Sequence, residues 1–266
     1  MGIAIKKWIT IDEDFMLLFK KGRYEIDFSD FEKKAKDADM FILCSPHNPV
    51  SRVWTKEELV RLEEAALRHH VLVISDEIHC DFVWEDHRHY PLLSLDSRYQ
   101  ANTIVCTAPS KTFNLAGLQC SNIIVADPSL RKTLAGEISS GGCSELNMMG
   151  LAACQTAYEC GAAWLDEAKK YIFDNFLFME DYLAREIPQI RMIHPEGTYL
   201  AWLDCRPLGL NEAQQLDLIQ NRAKLWLDTG TMFGPEGKGF ERVNVACTRK
   251  TLTLAMNRLR DAVASL

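Results

Sequence analysis

Val71-Leu72-Val73-Ile74-Ser75-Asp76-Glu77-Ile78-His79 begins with four consecutive apolar residues and ends on two carboxylates and a histidine. A short apolar, β-branched run bounded by polar residues predicts a buried strand, the kind found in parallel sheets. Working outward, residues 40–44 form another compact apolar run, ended by Ser45 and Pro46, and residues 103–106 and 121–125 are further β-branched apolar segments. Helix signals lie between them. Thr55 and Glu58 have capping-box spacing ahead of Leu59, Leu62 and Ala66, and Ser29 and Glu32 have the same spacing ahead of a short charged helix. Asp127-Pro128 starts another helix with proline at its first position. Strand and helix alternate, so the expected class is α/β, with a doubly wound, mostly parallel sheet.

The pattern changes after residue 145. Residues 145–187 are long and helical, with Trp164, Tyr171 and Phe178 at seven-residue intervals, which predicts a core stripe, and Pro188 is a stop. Strands are then expected at 191–193, 198–203, 225–227 and 241–245, with helices at 212–222 and from Lys250 onward. This predicts a partial large domain over 1–163 and a smaller α+β C-terminal domain over 164–266.

The net charge of −7 leaves no basic footprint for nucleic acid. No apolar run has membrane-spanning length, and residues 1–14 lack the apolar core of an export signal. The nine cysteines form no C-x-x-C pair and sit mostly in apolar runs, which points to buried free thiols and a reducing cytoplasm. His69, His70, His87 and His89 lack metal-ligand spacing, so no metal is expected. The glycines between Gly230 and Gly239 suggest a turn-rich loop rather than a phosphate cradle.

Three segments that each follow a predicted strand carry the chemistry: Ser45-Pro46-His47-Asn48-Pro49, Asp76-Glu77-Ile78-His79, and Ser110-Lys111. Ligands of open α/β sheets bind beyond the carboxyl ends of the strands, so these segments should converge on one crevice. An electron-sink cofactor needs a lysine for attachment, a carboxylate to keep a pyridine nitrogen protonated and a donor to the ring hydroxyl. Lys111, Asp76 and Asn48 supply them, and the set reads as a pyridoxal phosphate site. Each residue also has a plainer reading. Lys111 alone would be an ordinary surface lysine, Asp76 a helix cap or metal ligand, Asn48 a turn residue and His79 a buried structural histidine. Asp76 is preferred to Glu77 as the pyridinium partner. Arg242, inside the apolar strand Phe240-Glu241-Arg242-Val243-Asn244, must pair with something. A fork on a substrate α-carboxylate and a structural salt bridge are the two solutions.

Gly22-Arg23-Tyr24-Glu25-Ile26-Asp27-Phe28, residues 44–49, Arg52-Val53-Trp54-Thr55, residues 75–79, 107–119 and 196–204, and residues 242–246 together resemble the fold-type I pyridoxal phosphate enzymes. They resemble the class I/II aminotransferase superfamily and, within it, the cystathionine β-lyase or C-S lyase branch of MalY/PatB type. The resemblance implies the aspartate aminotransferase fold, with Lys111 as the lysine that attaches the cofactor and Asp76 as the pyridinium partner. It further implies Asn48 and His79 near the ring oxygen, Ser110 near the phosphate, Arg242 on the substrate carboxylate, and a homodimer. Aspartate-type members usually carry a serine three residues before the lysine and an arginine eight or nine after it; here those places hold Ala108, Gln119 and Cys120. This favours the lyase branch. The expected activity is β-elimination from thioether or thiol amino acids to pyruvate, ammonia and a thiol, with transamination as the alternative. The resemblance also puts a further third of chain ahead of the Gly22 segment. On that reading the N-terminal third is lacking, and the alternative of another class is a catalytically silent scaffold with an association role.

Overall fold

The computed structural model describes residues 5–11, 16–143 and 145–266. Residues 1–4 and 12–14 of the stretch read above for an export signal lie outside the described residues. The chain opens with β1 (Trp8–Thr10), a hairpin of β2 (Leu17–Lys20) and β3 (Arg23–Ile26), α1 (Phe28–Ala35), β4 (Met40–Cys44), α2 (Lys56–Arg68) and β5 (Leu72–Asp76). It continues through β6 (Thr103–Thr107), the single-turn α3 (Pro109–Thr112), β7 (Asn122–Val125), α4 (Pro128–Ser140), α5 (Met148–Cys160) and α6 (Ala162–Glu186). The last part holds β8 (Arg191–Ile193), β9 (Leu200–Asp204), α7 (Glu212–Leu216) with a π-helical turn after it, β10 (Asp228–Thr229), β11 (Phe240–Asn244) and α8 (Arg249–Val263).

Five strands form the first sheet in the order β1-β4-β5-β6-β7. All pairs are parallel except β6–β7, which is antiparallel and closes one edge. Alternate residues face opposite sides of a strand, and both sides are covered. Phe41, Leu43, Val73 and Val105 pack with Phe31, Leu59 and Leu62 of α1 and α2. Leu72, Ile74, Ile104 and Cys106 pack toward Leu130 and Leu134 of α4. This is why the strands read as continuous apolar runs. The register sets Cys44, Asp76 and Cys106 side by side at the carboxyl end of the sheet.

The capping box at Thr55 forms as expected, with Glu58 N–H donating to Thr55 Oγ1 at 3.2 Å and Thr55 N–H donating to Glu58 Oε2 at 2.8 Å. Asp127 caps α4. The first helix departs from expectation: Asp27, not Ser29, is its cap, accepting from Asp30 N–H. Glu32 instead pairs with Arg68 and His69 at the end of α2.

The second sheet is antiparallel, in the order β10-β11-β9-β8. The strand expected at 225–227 forms three residues later, as the two-residue β10. A second core surrounds this sheet, α6 and α8, and takes in Phe82 and Trp84 from the loop after β5. The aromatic stripe on α6 corrects the sequence reading. Trp164 and Tyr171 are 53% and 47% exposed, whereas Ile172, Phe176, Met179 and Leu183 are buried. The helix carries two apolar stripes, and the core takes the one through Ile172, Phe176, Met179 and Leu183, with Phe178 of the other partly buried against it. Among the cysteines, all free, only Cys120 and Cys205 are buried, and Cys143 and Cys160 are exposed; location in an apolar run did not guarantee burial. Among the described residues no helix is long and apolar enough to cross a membrane.

Candidate active site

The first sheet delivers Asp76 at the end of β5, where parallel strands leave a crevice. Its carboxylate accepts one short-range hydrogen bond, from Ile78 N–H to Oδ1 at 3.2 Å. Burial pushes this carboxyl up, against the pull of that bond and of the Lys111 charge, and the neighbouring Glu77 adds to the rise. Glu77 points elsewhere and is fully engaged: it accepts from Ser75 Oγ, Leu92 N–H and His89 Nε2, each at 2.9 Å. Of the two adjacent carboxylates, Asp76 keeps the more acceptor capacity unused by the described residues.

Lys111 follows β6 on α3, a turn started by Pro109. It is half-buried, and no hydrogen bond or ion pair holds its ammonium among the described residues. Thr112 Oγ1 next to it donates to Asp81 Oδ2 at 2.6 Å, tying this turn to the loop that follows Asp76. Lys111 lines a cavity of about 420 Å3 together with Phe82, Tyr199, Trp164, Tyr171 and Asn244. Trp164 and Tyr171, taken from sequence as core, are therefore walls of the cavity.

His79 is buried, with Nδ1 hydrogen-bonded to nothing among the described residues and the ring edge-on to Tyr199 at 5.4 Å. Burial, and then the positive charges of Lys111 and Arg242, push the imidazole down to about 4, so it is neutral near pH 7. Two cations, one on α3 and one on β11, act on one ring. The geometry thus brings together residues 76, 79, 111 and 242.

Arg242 lies on β11 and reaches across to the first sheet. Its Nη1 donates to Asn48 Oδ1 at 2.7 Å, and Nε and Nη2 donate to Asp228 Oδ2 at 3.1 and 2.7 Å. The guanidinium also sits 4.6 Å from the Phe233 ring. The structural salt bridge is thus present, and its acceptor, Asp228, escaped the sequence reading. The register Asp228↔Arg242 explains the pairing, because directly opposed cross-strand residues meet. With Oδ1 of Asn48 facing the arginine, its amide nitrogen remains as a donor. Ser110 is half-buried beside Lys111 on α3. No group of three His, Cys, Asp or Glu side chains suited to a metal ion occurs among the described residues.

A second constellation stands behind this site. Glu196 accepts from Arg23 Nε at 2.7 Å through Oε1, and from Arg52 Nε at 2.9 Å and Val53 N–H at 3.0 Å through Oε2. Arg52 is buried and also donates through Nη2 to both oxygens of Glu58, at 3.0 and 2.9 Å, and through Nη1 to the Tyr24 carbonyl. The network ties the hairpin, the Asn48 loop and the approach to β9 into one frame.

The family model described as Aminotransferase class I and II matches residues 6–259. The chain is 41% identical to the Bacillus subtilis protein named Cystathionine beta-lyase PatB over 93% of its own length and 65% of that relative. It is 33% identical to Protein MalY of Escherichia coli, covering 86% of this chain and 58% of the relative. The chain therefore spans less than two thirds of the length of these relatives. Among solved structures, cystalysin from Treponema denticola, which contains a pyridoxal 5'-phosphate cofactor, is similar with a TM-score of 0.91 and 35% identity. That match covers 94% of this chain and 64% of cystalysin. The PLP-bound C-S lyase from Staphylococcus hominis is similar with a TM-score of 0.89 and 30% identity, over 99% of this chain and 71% of that one.

Proposed function

The chain belongs to the class I and II aminotransferase family, and from that premise we propose that it is a pyridoxal-phosphate-dependent carbon–sulfur β-lyase. Its substrates would be amino acids with a thioether or thiol on Cβ. The observation that carries this reading is that Lys111 lies close enough for its charge to act on both Asp76 and His79, with Arg242 acting on the same imidazole. The residues suit the cofactor. Asp76 has carboxylate capacity unused by the protein, His79 Nδ1 is an orphaned buried polar atom, and Lys111 has no competing ion pair. Buried polar groups normally have partners, so the orphan supports a ligand there.

Lys111 would attach the cofactor, Asp76 would keep its ring nitrogen protonated, Asn48 and His79 would flank the ring oxygen, and Ser110 would meet the phosphate. When bound, the cofactor supplies an electron sink for the carbanion at the substrate α-carbon. Arg242, held at the right angle by Asp228 and Asn48, receives the substrate carboxylate on its guanidinium. Lys111 Nζ would take the Cα proton as general base. The electron pair of that bond ends in a Cα–Cβ double bond as Cβ–S breaks and the thiolate leaves. Phe82, Trp164 and Tyr171 give the cavity beside Lys111 an apolar wall for the departing sulfur.

Release of pyruvate and a thiol from cystathionine or cysteine, with no oxo acid added, tests the reading. Activity that needs an added oxo acid would instead assign transamination. Nine free thiols support a reducing, cytoplasmic setting. We also propose a homodimer. α5 exposes Met148, Met149, Leu151 and Tyr158, an apolar face that a second copy could cover.

A further inference from the structure

One face of α5 lies along the chain that runs from Lys111 to β7. Asn147, Gly150, Cys154, Tyr158 and Gly161 follow one another at spacings of three or four residues, which sets them in a single row on the helix and its two caps. The members of that row on either side of Cys154 touch the facing chain. Asn147 Nδ2 donates to the Leu118 carbonyl at 2.8 Å, and a Cβ on Gly150 would meet the same oxygen at 2.8 Å. Further along, Asn122 Nδ2 donates to Tyr158 Oη at 3.4 Å, and the Phe113 ring stands edge-on to the Tyr158 ring at 6.0 Å. A Cβ on Gly161 would meet Phe113 at 2.4 Å.

Contacts of residue 150 with 118 and of 158 with 122 leave Cys154 opposite Cys120. One helical turn and two residues of extended chain each advance about 6 Å, so the middle of one row faces the middle of the other. The thiols meet accordingly. Burial, and then the hydrogen bond and charge of Cys120, push the Cys154 thiol up. Both cysteines are free, Cys120 buried and Cys154 half-buried. The same segment carries Lys111, and its Phe113 packs on Trp164 of the cavity wall at 6.1 Å.

We propose that Cys120 and Cys154 are a reversible dithiol–disulfide pair, which locks the Lys111 segment onto α5 when a small disulfide such as oxidised glutathione accumulates. Cys154, the more accessible thiol, attacks one sulfur of the oxidant as its thiolate and expels one small thiolate, leaving a mixed disulfide. Cys120 Sγ then attacks Cys154 Sγ, the Cys120–Cys154 bond forms and the second small thiolate leaves. The two protons lost by the protein thiols end on the two small thiols; the pair gives up two electrons and the small disulfide takes them. Exchange needs the thiolate, so a raised Cys154 thiol reacts slowly near pH 7. The lock thus follows a sustained thiol-to-disulfide ratio rather than a brief pulse. It does not depend on the proposed lyase activity. Cys80 is the competing partner, because it and Cys154 both act on the Tyr158 hydroxyl.

The test is to equilibrate the purified chain at pH 8 in glutathione buffers of rising oxidised-to-reduced ratio, quench with acid and map the peptides by mass spectrometry. A Cys120–Cys154 link is expected, growing with the ratio and disappearing in reduced glutathione. The linked chain should unfold at a Tm higher by roughly 5 °C or more, because the link constrains the unfolded chain. In Cys120→Ser the link should be absent and Cys154 should carry glutathione instead, whereas in Cys154→Ser the buried Cys120 should stay unmodified. No Cys120–Cys154 link in the parent at any ratio, a link from either residue to Cys80 in its place, or a link that leaves Tm unchanged would overturn the lock.

Discussion

Asp76 and Glu77 are adjacent carboxylates with different surroundings. Glu77 is saturated by three donors and braces the loop up to Leu92, while Asp76 keeps most of its acceptor capacity. Lys111→Ala removes both the attachment point and the proposed base; turnover of cystathionine should fall below detection while the variant stays folded by circular dichroism. Arg242→Ala should lower kcat/KM about 10- to 100-fold, the loss expected for hydrogen bonds to a charged group. An unchanged kcat/KM would assign Arg242 to structure alone, through Asp228. Lys111, Asp76 and Asn48 could be proposed from sequence because their types and order match what the cofactor's chemistry needs. Asp228 was not, because its role depends on register opposite Arg242, and the strand holding it formed three residues beyond the expected place. Tyr199 could not be found either, since its edge-on contact with His79 exists only once the two sheets meet.

Among the elements, α2 carries an inward-facing acid. Glu63 is completely buried, accepts from Thr103 Oγ1 at 3.0 Å, and burial pushes its carboxyl up to about 7. The folded state therefore holds this proton more tightly than the unfolded chain. The stabilisation is complete below about pH 4.5 and is lost as pH rises through about 7. Urea unfolding of Glu63→Gln beside the parent should give similar stabilities at pH 5 and a more stable variant at pH 8, by on the order of 3 kcal/mol at 1.36 kcal/mol per pH unit. A parent that gains on the variant as pH rises would contradict this. Helices and strands with a local signal were readable: α2 from its capping box, α4 from Asp-Pro, and β4 to β6 from apolar runs. The inward face of α6 was not, because the sequence offers two apolar stripes and only the neighbouring sheet chooses between them.

For the whole molecule, the Glu196–Arg52 network joins segments far apart in sequence and positions the Asn48 loop against β9. Burial alone would raise the Glu196 carboxyl, but the Arg23 hydrogen bond and the Arg52 charge hold it below its ordinary value. Breaking a buried pair leaves an uncompensated charge, so Arg52→Met should cost about 3–5 kcal/mol in urea unfolding at pH 7; a loss under 1 kcal/mol would reduce the network to an ordinary surface contact. The exposed apolar surface of α5 calls for sedimentation of the purified chain. A species of twice the monomer mass is expected, and monomer alone at micromolar concentration would contradict the proposed homodimer. The central claim, that this fold gathers Lys111, Asp76 and His79 into a pyridoxal phosphate site, is tested most directly by titrating the cofactor into the parent and Lys111→Ala while recording visible absorbance. A saturable band that forms in the parent and not in the variant is expected; no band in the parent, or the same band in both, would contradict it.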